Sequence, residues 1–177
     1  YDADIARLMA MGASTIDILE SLMFTDVRTA ADQLWDVFEA SEHRDGWVSV
    51  EVAPDLAYDT QGTVTEVKRV QALVGRTNVM VKVPGTQEGV AAVRDLVGLG
   101  YCINVTLIFS LDRYAEVMDA YLDGLETLVA RRKAGERVPA LADIHGVASF
   151  FVSRIDTAVD RRPDSLGAPC HMACTPA

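Results

Sequence analysis

Lysine is scarce in this chain, and the scarcity is informative. Only Lys68, Lys82 and Lys133 occur among 177 residues. Positive charge as a whole is short: 16 basic residues stand against 26 acidic ones, for a net charge of −10. That balance excludes general nucleic-acid binding and attachment to anionic membranes. It leaves open a phosphate site, which a few local arginines can build. The three cysteines are too few for a disulfide framework, and a reducing cytoplasm is the expected compartment. No apolar run approaches the roughly 20 residues of a membrane span. The opening Tyr1-Asp2-Ala3-Asp4 lacks the basic region and apolar core of a secretory signal, and Tyr1 in place of Met points to a start further upstream. Also missing are a Gly-x-Gly-x-x-Gly turn after a strand and a P-loop, so dinucleotide and nucleotide-triphosphatase sites are excluded. There is no repeat, low-complexity stretch or interdomain linker.

What is present is a globular composition, 50% hydrophobic, at a length suited to one domain. The first part, to about Ser41, reads as helical. Gly12 ends one helix, Ser14-Thr15-Ile16-Asp17 starts the next, and Thr25 or Asp26 is expected to cap a third. Strand and helix then alternate. Strands are expected over Trp47 to Val52, Asn78 to Val83, Tyr101 to Phe109 and Ile144 to Val152. Helices are expected over Tyr58 to Leu73, Thr86 to Val97 and Leu111 to Arg132, with a short one from about Ile155. The strands are β-branched and nearly continuous in hydrophobicity, as in a parallel sheet covered by helices. This order leaves two architectures, an open doubly wound sheet or a (β/α)8 barrel.

Polar groups inside the strands favour the barrel. Lys82 lies in Val79-Met80-Val81-Lys82-Val83-Pro84, where an ammonium is costly to desolvate unless it is paired. A lowered pKa would make its amine nucleophilic, as Schiff-base chemistry requires. The alternative is a strand-end lysine reaching along apolar neighbours into water. Lys68 and Lys133 fall on helix surfaces among other charges. Glu51, Asn104, Thr106 and Ser149 also interrupt apolar strands. Asn104 and Thr106 are two apart and share a face. An open sheet covered on both sides has little room for such groups. A barrel gathers them at the C-terminal ends of its strands.

The run Val81-Lys82-Val83-Pro84-Gly85-Thr86-Gln87-Glu88-Gly89 resembles the lysine signature of the transaldolase family. Val48-Ser49-Val50-Glu51-Val52 is similar to the family's preceding strand. Ile103-Asn104-Val105-Thr106-Leu107-Ile108-Phe109-Ser110 resembles the following one. Val147-Ala148-Ser149-Phe150-Phe151-Val152-Ser153-Arg154-Ile155-Asp156 resembles the one after that. The likeness runs from near Tyr1 to about Gly167. It implies a partial TIM (β/α)8 barrel of about four parallel strands with an N-terminal helical segment, spanning residues 1–167. It implies transfer of a dihydroxyacetone unit from a ketose phosphate to an aldose phosphate in the pentose phosphate pathway, with no metal or organic cofactor.

The resemblance also implies roles. Lys82 forms the Schiff base, Glu51 orients the water or hydroxyl that carries protons, and Thr106 sits in the same network. Asn104 and Ser149 hold the hydroxyls of the dihydroxyacetone unit, and Arg154 clamps the sugar phosphate. Read singly, Ser149 could be a small core residue and Arg154 a surface arginine paired with Asp156 or Asp160. Asn104 is harder to explain without partners.

The chain departs from the family at both ends. It offers four strands where eight are required. Nothing resembles the first-strand aspartate that serves as acid/base, the second-strand Thr-Asn-Pro segment, or the last two strands. Ala53 stands where aspartate is usual and Gly146 where serine is common. Residues 168–177 have no apolar periodicity and read as an unstructured tail. Cys170, His171 and Cys174 fall short of a closed metal site. His145 is expected to be structural, His43 solvated in a polar loop, and Cys102 a small core residue. Two alternatives follow: a catalytically inactive truncated fragment, and a related Schiff-base sugar-phosphate aldolase. Self-association is one expected outcome for so open a sheet.

Overall fold

A computed structural model of the protein describes residues 1–161. Four parallel strands follow the chain order: β1 (Val48–Glu51), β2 (Val79–Pro84), β3 (Ile103–Ile108) and β4 (Gly146–Phe150). The helices are α1 (Asp2–Ala10), α2 (Thr15–Gln33), α3 (Trp35–Ala40), α4 (Thr60–Val74), α5 (Gln87–Leu99), α6 (Leu111–Lys133) and α7 (Val152–Asp160). Consecutive parallel strands joined by helices are the arrangement of part of a (β/α)8 barrel. The assignment of residues 168–177 as a tail, and the Cys170, His171 and Cys174 cluster, lie outside the described residues.

The register decides which residues meet helices and which do not. Val50 pairs with Val81, Val81 with Ile103, and Val83 with Val105. These side chains form one buried cluster with Val64, Val67, Val70, Ala92, Val93 and Leu96 of the helices. Burying one such side chain is worth roughly 1.5–3 kcal/mol. A one-residue slip would move the whole row to the opposite face, so the register is strongly specified. Side chains alternate, so Ser49, Glu51, Met80, Lys82, Asn104 and Thr106 point away from that cluster. This inward face carries the chemistry.

Local signals explain most boundaries. Ser14 caps α2 in a reciprocal capping box with Asp17. Asp59, Thr86 and Ser110 cap α4, α5 and α6 through their side chains. Gly75 and Gly100 end α4 and α5 in left-handed conformations. Helix α5 packs on α6 so closely at Gly124 that a Cβ there would lie 2.7 Å from Val97 Cβ.

Two boundaries differ from the sequence expectation. Thr25 does not cap a new helix: α2 runs unbroken from Thr15 to Gln33. No glycine or proline interrupts that stretch, and the Thr25 hydroxyl donates back to the Ser21 carbonyl at 2.8 Å. The helix placed near Ile155 begins earlier, at Val152. His43 is not simply solvated: its ring stacks on Phe38 at 4.2 Å and its Nε2 lies 3.5 Å from Glu39. His145 packs against Trp47, with ring centroids 5.3 Å apart.

Asn78 ties the N-terminal helices to the sheet. It is fully buried, and its Nδ2 donates to the Ala31 carbonyl at 2.8 Å and the Gly46 carbonyl at 3.1 Å. Arg69 of α4 bridges Glu66 of its own helix and Glu20 of α2. The Arg69 guanidinium holds the Glu66 carboxyl below its ordinary value, against the opposing effect of partial burial.

Candidate active site

Glu51 and Lys82 end up side by side because β1 and β2 pair in parallel with these two residues as register partners. Lys82 Nζ donates to the Glu51 carboxylate. The pairing answers the desolvation problem that an ammonium faces in an apolar strand. The lysine side chain is 20% exposed and the glutamate 67%. Lys68 and Lys133 lie exposed on α4 and α6, as their charged surroundings suggest.

These two groups line a cleft of about 270 Å³ at the C-terminal ends of the strands. Its other walls include Pro84, Thr106, Leu107, Phe151 and Arg154. Thr106 is 7% exposed, and its hydroxyl oxygen is buried without a hydrogen-bond partner. A buried hydroxyl left in this state is costly, and it is a ready partner for a ligand or a water. Leu107 beside it has φ of +59°, at an irregularity in the β3–β4 pairing between Val105 and Ile108. A leucine in this left-handed region is strained. The break in alternation lets both Thr106 and Leu107 face the cleft.

Arg154 lies in the first turn of α7 with its guanidinium 4.2 Å above the Phe151 ring. Among the described residues it pairs with neither Asp156 nor Asp160. Its planar fork is held by stacking on that ring.

Asn104 and Ser149 are not part of the cleft wall. They sit on the same inward face, Asn104 level with Lys82 as its register partner, and the Ser149 hydroxyl donates to Asn104 Oδ1 at 2.7 Å. Asn104 Nδ2 in turn donates to Ser49 Oγ at 3.0 Å. Ser49 was missed as a functional candidate by sequence reasoning. Its position two residues before Glu51, on the same face of β1, was the available signal.

Cys102, at the foot of β3, bridges the approach to β4. Its Sγ donates to the Asp143 carbonyl and accepts from the His145 N–H, both at 3.3 Å. Burial pushes its thiol pKa up, which suits a structural cysteine more than a nucleophile. Among the described residues no group of His, Cys, Asp or Glu side chains has the geometry to hold a metal ion, and no helix is long and apolar enough to cross a membrane.

A sequence profile of the transaldolase/fructose-6-phosphate aldolase family matches residues 1–173. Transaldolase 2 of Streptomyces avermitilis is 48% identical over 169 residues, covering 96% of this chain and 44% of the relative. Transaldolase 1 of Streptomyces coelicolor is 48% identical over 167 residues, covering 94% and 42%. Transaldolase of Mycobacterium bovis is 45% identical over 168 residues, covering 95% and 43%. The chain thus spans less than half the length of these curated relatives.

Proposed function

The chain belongs to the transaldolase/fructose-6-phosphate aldolase family, and from that membership we propose that it supplies the Schiff-base part of a transaldolase site. The reaction is transfer of a dihydroxyacetone unit from a ketose phosphate to an aldose phosphate, as in the pentose phosphate pathway. The observation that carries this reading is the Lys82–Glu51 pair on the inward face, beside the unpartnered Thr106 hydroxyl.

The chemistry follows from those groups. The Lys82 amine attacks the donor ketone, a C–N bond forms, and the carbonyl oxygen leaves as water. Glu51 takes the ammonium proton that frees the amine and, after the attack, a second proton from nitrogen, and both pass to the departing oxygen through a water held between Glu51 and Thr106. The resulting iminium draws in the electron pair of the neighbouring C–C bond as that bond breaks. An aldose phosphate departs and the three-carbon unit stays on Lys82 as an enamine. Attack of the enamine on a second aldose phosphate, followed by hydrolysis, completes the transfer. The iminium is itself the electron sink, so this route uses neither a metal nor an organic cofactor. Asn104 and Ser149 hold hydroxyls of the retained unit, and Arg154 binds the phosphate through its guanidinium fork. The proton of the hydroxyl beside the breaking bond needs a further acid/base, and none of the residues above is assigned that role.

The test is borohydride trapping with fructose 6-phosphate, followed by peptide mass mapping. The adduct is expected on Lys82 and is expected to disappear in Lys82→Ala. An adduct on Lys68 or Lys133, or unchanged trapping in the variant, would sink the assignment.

A further inference from the structure

A second cavity opens at the other end of the sheet. It lies at the feet of the strands, where Trp47, Cys102 and His145 lead into β1, β3 and β4. It shares no wall residue with the Lys82 cleft. Its volume is about 450 Å³, against about 270 Å³ for that cleft, and lies in the range of small-molecule sites. The N-terminal face of a (β/α)8 barrel ordinarily serves stability through close packing, which leaves no space of this size.

Two features of the walls select a ligand. The first is aromatic surface. Both tryptophans of the chain, Trp35 and Trp47, line the cavity together with Phe38 and Tyr101. Phe38 braces the tryptophans, with its ring 5.4 Å from that of Trp35 and edge-on to that of Trp47 at 5.0 Å. The Trp47 indole N–H is spent on the His43 carbonyl at 2.9 Å, so that ring has no donor left for an anion. The second feature is charge. Among the described residues the walls carry Glu39 and Asp143 and no lysine or arginine. Glu39 has His43 beside it at 3.5 Å, which balances its charge only when the ring is protonated. Among the described residues the Asp143 carboxylate has no hydrogen-bond or ion-pair partner, although its backbone N–H and carbonyl are both bonded. Burial, with a smaller contribution from the Asp143 charge, holds the Cys102 thiol above its ordinary value, and that contribution marks the local field as negative. Aromatic faces and unbalanced carboxylates attract the same kind of guest, a cation with an apolar skin. A sugar phosphate would find no countercharge here.

We propose that this cavity binds a small quaternary ammonium ion, its methyl groups against Trp35, Trp47 and Tyr101 and its charge balanced by Glu39 and Asp143. A charge spread over methyl groups needs no hydrogen-bond acceptor, which suits walls that are mainly aromatic. The inference stands apart from the Schiff-base reading and asks nothing of Lys82.

The experiment titrates the natural protein carrying this sequence, at constant ionic strength, with choline and with 3,3-dimethylbutan-1-ol, which has the shape of choline and a carbon in place of the charged nitrogen. The readout is the pair of indole ¹⁵N–¹H signals, assigned by their separate losses in Trp35→Phe and Trp47→Phe. Choline should shift both signals, and the alcohol should need about tenfold more for the same shift. Asp143→Asn should weaken choline about two- to fivefold and leave the alcohol as it was. Trp35→Leu, read at Trp47, should weaken choline by about the same factor, and it decides the matter where Asp143→Asn disturbs the turn before β4. Indole signals unmoved by choline, or an equal response to the two compounds, would overturn the proposal. So would undiminished choline affinity in an Asp143→Asn protein with native indole positions.

Discussion

Glu51 stands level with Lys82 on the neighbouring strand and accepts a hydrogen bond from its ammonium. Among the described residues the carboxylate stands on an outer strand of the sheet and is more exposed than the lysine, which is mostly covered.

Glu51→Gln keeps the hydrogen-bond acceptor and removes the charge. Schiff-base formation on Lys82 should slow by about 100-fold, the low end for a lost acid/base group. Single-turnover trapping rates measure this. An unchanged rate would remove Glu51 from the proton path.

Arg154→Ala should weaken sugar-phosphate binding by about 1.5–3 kcal/mol, the scale of a charge-assisted pair. Dihydroxyacetone has no anion to lose and should bind as before. Calorimetric titration with each ligand distinguishes the two. Equal losses would mean that Arg154 does not read the phosphate.

Gly124→Ala sets two effects against each other. Alanine favours the helix by about 1 kcal/mol. Its Cβ, however, would lie 2.7 Å from Val97 Cβ and 2.8 Å from the Arg94 carbonyl oxygen, which forces α5 and α6 apart. Overpacking of that kind costs about 1–3 kcal/mol. The net should be a loss of up to about 2 kcal/mol in denaturant unfolding. A stabilised variant would show that the helix contact is looser than described.

The acid limb of stability should depend on Arg69. Glu66 is held below its ordinary value of 4.5, chiefly by hydrogen bonding from Arg69. A carboxyl depressed in the folded state stabilises the fold above its unfolded value. That contribution is lost as pH falls through the folded value. Arg69→Met should flatten the decline below about pH 4.5 and leave its shape near neutrality alone. Urea midpoints across pH 3 to 7 read this out.

The 177 residues expressed by themselves should give no transaldolase turnover and should not remain cleanly monomeric. No acid/base for the carbon–carbon step has been assigned, and among the described residues β1 and β4 each present an unpaired edge. Light scattering after size exclusion, run beside a coupled assay, covers both parts. A stable, active monomer would refute the expectation.

The strands and helices were legible because hydrophobic period and capping residues agree in most of the chain. Asp59, Thr86 and Ser110 mark their helices by side-chain chemistry alone. The convergence of Glu51, Lys82 and Thr106 was legible too, since parallel pairing puts polar residues of successive strands on one face. Thr25 misled because the same hydroxyl that caps a helix can bond back within one. The hydrogen-bonded chain from Ser149 through Asn104 to Ser49 was not legible. It depends on the register between strands, and the sequence of a strand does not state its register. Ser49 was hidden for the same reason. A serine in a strand has no meaning until its cross-strand neighbour is known.

The sheet order is the chain order, β1 to β4. Among the described residues each strand joins a neighbour already made. A nascent chain leaving the ribosome can therefore add one strand and one helix at a time to a growing edge. Translation is slow beside helix and loop closure, so each step has time to finish. The candidate residues come together in the same sequence: Glu51 precedes Lys82, and Asn104, Thr106 and Ser149 arrive on a surface that already exists.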